Sequence, residues 1–509
     1  MPAGGRRGGF LDAAMTAHRA GRLADADSLY RRALEADPRN ARAARLRGIL
    51  AREQGALAPS ARYLARAVEL APDDPEPRAE LALTCMAAGD LDGAEQALRA
   101  ALDCVADHGK SLANLGALLQ YRGRLGAAIE CHERALALAP HDVEVRCNLV
   151  RALAEAGRAV EALALCEAGL VAAPGLPALL AASGAVYLDL GDFDAAAHAL
   201  EGAVVRFPDD DLAWVNLAYV RVRRGEHGRA VEALRAALRA NPDGARATAD
   251  LVNLLAGTGR AGEALALAAD FLAAHPGERH VLAAQAYALR DAGREAESAA
   301  LLDLEQFIRV DEPAPPAGFA TAAQFHAHLC RLVESDASLT PGPPGKATRG
   351  GFQTGELDLT SDPALAAFGC LIGGAVRDAA AAFAAAGLGA HPLMAYAAPE
   401  WSLRVWGTVL EAGGHQAAHI HPLGWLSGVY YLQVPADMDP GGVQAGSIEF
   451  GAPPERFLVS RPPTVRRIAP RPGRLVLFPS YFYHRTLPFA ARERRISIAF
   501  DVVPRAAGW

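Results

Sequence analysis

Over the first three-fifths of the 509-residue chain, apolar residues return at helical spacing, as at Leu112, Leu115 and Leu119 and again at Leu125 and Ile129. From Trp401 the texture changes to short alternating stretches closed by turn dipeptides: WSLRVWGTVL, WLSGVYYLQVP, GSIEFG, GRLVLFP and RRISIAFDVV. The first pattern predicts helices, the second strands. The helical part is also punctuated on a grid. Gly21, Gly55, Gly89, Gly123, Gly157, Gly191, Gly225, Gly259 and Gly293 stand 34 residues apart. Pro38, Pro72, Pro140, Pro174, Pro208, Pro242 and Pro276 each follow one of them by 17.

A fixed period of this length predicts stacked helix–turn–helix units. Each glycine closes a first helix, where easy access to positive φ is needed. Five residues later stands a small residue (Ala26, Ser60, Ala94, Ala128, Ala162, Ala196, Ala230, Ala264, Ser298), which lets two antiparallel helices approach. Each proline ends the second helix. One hairpin cannot bury its own apolar face, so the hairpins are expected to stack into a superhelix with a concave groove.

This pattern resembles the tetratricopeptide repeat family over about residues 7–310, which implies a binding scaffold and says little about chemistry. Nine residues before successive turn glycines stand Glu80, Asn114, Asn148, Ala182, Asn216 and Asp250. An asparagine amide both donates and accepts, so such a row can hold an extended chain by its backbone. The row is similar to the asparagine ladder in the repeat superhelix of the protein O-GlcNAc transferases, with Ala182 interrupting it. Asn114, Asn148, Asn216 and Asp250 are therefore expected to touch a protein or peptide partner.

The grid fails after Gly293, and VDEPAPPAG (310–318) and TPGPPGK (340–346) interrupt the chain around a short helix carrying Phe325, Leu329 and Leu332. The expected organisation is a solenoid of about nine units over 1–310, a linker and lead-in helix over 311–348, and a second domain over 349–509. That domain reads as a β-sandwich or barrel flanked by helices.

Composition narrows the classes. Hydrophobic residues make up 51% and charged residues 21%, which is globular. A formal charge of −7 and a pI near 6.1 offer no attraction to nucleic acid or an anionic membrane. The seven cysteines form no CxxC pair and are expected as free thiols in a reducing cytoplasm. The start, MPAGGRRGGF, lacks a signal-peptide core, and the apolar stretches 168–188 and 379–399 are broken by Pro and Gly, so no membrane span is expected.

Candidate chemistry lies in the strand-rich part. In HQAAHIHPLGWLSGVYYL, His419 and His421 are separated by one residue, which on a strand puts both imidazoles on one face. His484 follows a strand ending at Phe478, and Arg495 opens the strand RISIAF. A histidine pair, a distal histidine and an arginine one strand on match the needs of an iron site with a carboxylate co-substrate. Imidazoles suit Fe(II), and a guanidinium can grip a carboxylate with two hydrogen bonds. His415 is expected at the rim or behind the ligands. Arg404 and Arg494 compete with Arg495 as anchors, although Arg494 must point to the opposite face of its strand. Trp406 is expected in the core, and Trp425, in the loop after the histidines, at the substrate.

These stretches, HIHPLGWLSGVYYLQVP, GSIEFG, GRLVLFPSYFYHRTLPF and RRISIAF, resemble a bacterial and phage family of 2-oxoglutarate- and Fe(II)-dependent oxygenases over roughly residues 320–509. The resemblance implies a multidomain chain: an all-α tetratricopeptide superhelix followed by an α+β double-stranded β-helix (jelly-roll) domain. It implies Fe(II) on His419, His421 and His484, 2-oxoglutarate chelating the metal, Arg495 on its far carboxylate, and Ser497 or Tyr431 assisting. The wider superfamily carries an acid where His421 stands, and position 423 is leucine. Either three histidines bind the metal, or His421 stands behind it and an acid such as Glu449 completes the set. The expected protein is a hydroxylase of a polypeptide presented by the groove. The alternatives are a silent β-domain on an interaction scaffold, or a three-histidine dioxygenase independent of 2-oxoglutarate.

Overall fold

A computed structural model describes residues 5–173, 175–342, 347–397, 400–438, 444–454 and 457–504. Pro174 and positions 343–346 of the second Pro/Gly break lie outside these residues. Helical hairpins run in register with the glycine grid, from Gly5–Arg19 with Leu23–Ala36 to Arg279–Asp291 with the short Glu295–Leu301. Every grid glycine has φ between +70° and +83°. At most of them an added Cβ would meet open space, so the backbone angle and not crowding demands glycine. The turn N–H groups then close onto the end of the helix, as Gly55 N–H to Arg52 O and Ala56 N–H to Ala51 O. The small residues five positions on are buried, from Ala26 at 0% to Ser298 at 6% exposure.

This separates two glycine substitutions cleanly. Gly225→Ala should destabilise the fold by about 1–2 kcal/mol, because alanine resists the left-handed region. Gly374→Ala, inside helix Pro363–Ala385 with nothing within 4 Å, should stabilise it by up to about 1 kcal/mol. Urea unfolding of the two variants checks the opposite signs.

The chain forms two compact units, residues 1–152 and 153–507. The first holds hairpins alone, centred on Tyr30, Leu50, Leu98 and Leu112, each fully buried. The second combines the later hairpins with two antiparallel sheets. Its strands are β1 (Arg309–Asp311), β2 (Thr340–Pro341), β3 (Thr348–Gln353), β4 (Trp401–Gln416), β5 (Leu426–Gln433), β6 (Ile448–Phe450), β7 (Arg466–Ile468), β8 (Leu475–Pro479), β9 (His484–Thr486) and β10 (Arg495–Pro504). One sheet runs β1-β8-β5-β10-β4-β3-β2 and the other β7-β6-β9. They meet where Phe450 of β6 packs on Phe478 of β8, with ring centroids 4.8 Å apart. The chain is thus an all-α repeat array followed by a strand-rich sandwich.

Within residues 311–348, expected as a linker and lead-in helix, the described residues form the helix Ala322–Ser335 and also contribute strands to the sheet domain. β1 pairs with β8, β2 pairs with β3, and helix Ala322–Ser335 packs Phe325 beside Tyr430 of β5. Proline and glycine broke the helical pattern there without loosening the packing. Helix Pro363–Ala385 is long and apolar enough by composition to cross a membrane. Its Phe368 lies 5.7 Å from the Tyr430 ring and 6.4 Å from Phe500, the packing of a core helix.

The period of two along β10 divides the domain's chemistry. Ile496, Ile498, Phe500 and Val502, all at most 1% exposed, face the helices. Arg495, Ser497, Ala499 and Asp501 take the other face. Gly428 of β5 is needed because a Cβ there would lie 2.3 Å from the Phe500 ring.

Candidate metal centre

His419 and His421 lie between β4 and β5, outside a regular strand. Backbone pairing nevertheless aims them. His419 and His484 exchange both N–H···O bonds at 3.1 Å as an isolated antiparallel bridge, and the His421 N–H donates to Ser480 O at 2.9 Å. One nitrogen from each of the three rings lies within 4.8 Å of the other two.

The remaining nitrogen of each ring is engaged. His419 Nδ1 donates to Ala417 O at 2.8 Å, His484 Nδ1 to Phe482 O at 3.0 Å, and His421 Nδ1 meets the Asp501 carboxylate at 3.0 Å. A carbonyl only accepts, so Nδ1 of His419 and of His484 carries the hydrogen and Nε2 presents a lone pair. Burial holds the His419 pKa down to about 3, assisted by the neighbouring His421. It likewise holds that of His484 well below the usual imidazole range, with His419 and His421 adding to it. Both rings are therefore neutral at physiological pH. His421 Nε2 lies 3.3 Å from His484 Nε2, and two nitrogens bound cis to one ion at about 2.1 Å each stand about 3 Å apart. Converging lone pairs at that separation suit a divalent cation, which converts their repulsion into coordination.

Asp501 is the residue that sequence reading missed. It is 8% exposed, accepts from Ser427 Oγ at 2.7 Å, and opposes Ser427 and Arg404 in the strand registers. Burial alone would raise its pKa, but His421, Ser427 and Arg404 outweigh that and hold it low. The available signal was parity: it stands six residues after Arg495, on the same face of β10. Glu449 lies elsewhere. In β6 it opposes Arg485, while its neighbour Phe450 opposes His484. Its carboxylate pairs with Arg467 at 2.6 Å and Arg485 at 2.7 Å.

Arg495 is 2% exposed and donates to Gly446 O at 2.7 Å, with its guanidinium 5.7 Å from the Tyr431 ring centre. Burial lowers its pKa, and Tyr431 opposes that shift. Burial also raises the Tyr431 pKa, partly offset by Arg495 and Arg474, so its phenol keeps its proton. Ser497 opposes Thr408 on β4 and Tyr431 on β5. Four polar atoms in this region, Arg495 Nε, Tyr431 Oη, Thr408 Oγ1 and Ser447 Oγ, are buried without a hydrogen-bond partner among the described residues. Orphaned buried donors are costly, and a small dicarboxylate with acceptor oxygens at both ends fits that deficit. Arg404 pairs with Glu356 at 3.3 Å, and Arg494 is exposed beside Glu334 and Glu411.

The two tryptophans exchange their expected positions. Trp425 is 3% exposed and packs within the main core, while half-buried Trp406 stacks on His421 at 5.7 Å. The Trp425 backbone N–H donates to Val502 O, which draws that loop residue inward, while its indole N–H has no partner among the described residues. His415, in β4, pairs in register with Arg349 and is not one of the three grouped imidazoles.

Of the ladder, Asn114 and Asn148 belong to the first unit, where both are half-buried. Asn114 Nδ2 has no partner among the described residues, and Asn148 accepts from Arg151 at 2.7 Å. Glu80 is bound by Arg52 and Lys110. Asn216 and Asp250 belong to the second unit. Asp250, expected to touch a partner, lines a small cavity together with the chain's own Phe457 and Leu458. A Cβ on Gly257 of the same helix would lie 2.0 Å from Leu458 O. Ser460 Oγ donates to Asp291 and Arg461 pairs with Glu295. Residues 457–461 thus pack on the apolar face of these last hairpins, beside Asp250, whose carboxylate lies 3.9 Å from Arg246.

Tetratricopeptide repeat models match residues 11–75, 60–108, 119–185 and 182–245, and a model described as "Putative 2OG-Fe(II) oxygenase" matches residues 404–501. Similar solved structures include a tetratricopeptide repeat protein from Parabacteroides merdae, at 16% identity over 47% of this chain and 94% of that one, with TM-score 0.41. YrrB, described as a TPR protein with an unusual peptide-binding site, is 22% identical over 36% of this chain and 95% of its own, with TM-score 0.31. The Cut9–Hcn1 assembly is 17% identical over 55% of each chain, with TM-score 0.41. No curated protein matches. The chain therefore carries tetratricopeptide repeats within residues 11–245 and, at residues 404–501, a domain of the family described as "Putative 2OG-Fe(II) oxygenase".

Proposed function

We propose that this protein is an Fe(II)- and 2-oxoglutarate-dependent oxygenase that hydroxylates a protein or peptide, with His419, His421 and His484 as the iron ligands. The observation that carries the reading is the convergence of three imidazole nitrogens within 4.8 Å, in a domain that also buries Arg495 and other polar atoms left unpaired among the described residues. Bound Fe(II) with 2-oxoglutarate supplies oxidation of an unactivated C–H bond by O2, the co-substrate ending as succinate and CO2.

The chain's own residues do the rest. The carbonyls of Ala417 and Phe482 fix the tautomers of His419 and His484, so both rings offer Nε2 without first losing a proton. Arg495 binds the far carboxylate of the co-substrate, and the neutral Tyr431 hydroxyl, with Ser497, Thr408 and Ser447 beside it, satisfies the remaining oxygens. Phe450 and Phe478, at 6.0 and 4.6 Å from the His484 ring, keep water from that side of the site. The free thiols fit a reducing, cytoplasmic setting.

Repeats of this family are generally protein-interaction modules, and Asn114 and Asn148 are the ladder positions through which we infer contact with a polypeptide backbone. Asn114→Ala is expected to weaken a bound polypeptide about fivefold, the loss of one hydrogen bond, measured by calorimetry once a partner is in hand. Among the described residues the imidazole group includes no acid, which favours, as a second reading, a three-histidine dioxygenase needing no 2-oxoglutarate. Equilibrium binding of 2-oxoglutarate to the Fe(II)-loaded protein separates the two. Mass spectrometry of lysate proteins incubated with enzyme, Fe(II) and 2-oxoglutarate should find a gain of one oxygen atom. If 2-oxoglutarate neither binds nor is turned over, the first reading fails.

A further inference from the structure

We propose that Asp501 is the positioning residue of this centre, supplying from behind His421 the negative charge that a carboxylate ligand supplies directly where iron is held by two histidines and an acid. The inference rests on the metal-binding reading above. Of the three rings, two lean on neutral carbonyls and only His421 leans on an anion. A carboxylate accepting the Nδ1 hydrogen polarises the imidazole, raises the electron density at Nε2 and fixes the ring's rotation. Three neutral imidazoles would leave the full charge of the cation uncompensated, and the His421–Asp501 pair removes part of it.

The surroundings are built for that task. The Asp501 carboxylate takes a hydrogen bond from Ser427 Oγ, and Ser427 Oγ meets Ser480 Oγ at 2.8 Å. Ser480 O in turn receives the His421 backbone N–H. Ring, carboxylate, two hydroxyls and backbone thus close a loop around one ligand, and Trp406 stacks on the His421 ring with planes 26° apart. Arg404, opposite Asp501 in the β4–β10 register, is shared with Glu356, so the carboxylate is not cancelled by a dedicated partner.

Anaerobic titration of the full-length apoprotein with Co(II), followed by calorimetry and by the ion's visible spectrum, tests this without turnover. Wild type should bind one equivalent. Asp501→Asn, which keeps shape and an acceptor oxygen but loses the charge, should weaken binding by about 10–100-fold and shift the spectrum. In a His421→Ala background the same substitution should cost nothing further, because its effect passes through that ring. Ser427→Ala, which keeps the charge but removes the bonds to the carboxylate and to Ser480 Oγ, should give a smaller loss in the same direction and serves as the test if Asp501→Asn fails to fold. Unchanged affinity in both Asp501→Asn and Ser427→Ala, or an equal loss with and without His421, would overturn the role of Asp501 while leaving the metal centre standing. No binding by wild type would remove the metal centre itself.

Discussion

His484→Ala is expected to abolish stoichiometric Fe(II) binding and to cut 2-oxoglutarate-dependent succinate release by well over about 100-fold, since even residues behind metal ligands are worth about 10–100-fold. His484 is 4% exposed, joins the bridge to His419, and stands 3.3 Å from His421 Nε2. Its backbone bonds survive the substitution. What disappears is one of three converging imidazole donors, and Glu449 cannot take its place because it is committed to Arg467 and Arg485. Stability should respond differently. Removing the ring leaves a cavity beside Phe450 and Phe478, but it also relieves lone-pair repulsion in the metal-free protein. Metal analysis and a succinate assay, with a thermal melt as control, read the three effects separately. Succinate release at the wild-type rate would refute the assignment of the ligands.

The second large effect is expected at Arg495. Arg495→Met should raise the concentration of 2-oxoglutarate needed for half-saturation about 100-fold, a loss of about 3 kcal/mol, the usual scale for removing one partner of a buried charge pair. The same change should leave the ligand-free melting temperature unchanged or higher. In the absence of co-substrate Arg495 is a fully buried cation whose Nε has no partner among the described residues, and replacing an incompletely paired buried charge by an apolar chain of similar length is often neutral or stabilising. Affinity and stability moving in opposite directions is what distinguishes a binding residue from a structural one. A variant that loses stability and keeps 2-oxoglutarate affinity would show that Arg495 serves the fold.

Legibility followed the physics of each feature. The glycine grid could be read directly because a left-handed turn is a local demand on one residue, repeated with every hairpin, and the φ values of those nine glycines answer it. The histidines could be named because metal chemistry needs particular side chains, and Arg495 because parity on a strand is local too. Trp406 and Trp425 were not readable. Both are large and apolar, and only the course of the loop between β4 and β5 decides which one stacks on His421 and which enters the core. The strands β1 and β2 on either side of the lead-in helix were not readable for the same reason: proline and glycine report where helix stops, not whether the chain then joins a sheet.

By itself the sequence determined the hairpin array, the strand-rich C-terminal part and the identity of the three imidazoles, all consequences of local backbone preference and side-chain chemistry. Tertiary structure alone decided that those imidazoles share one point, that Asp501 and not Glu449 stands beside them, and that residues 457–461 cover the last hairpins. Each of these is a contact between segments tens to hundreds of residues apart, and such contacts depend on strand register and packing, which leave no periodic trace in a single chain.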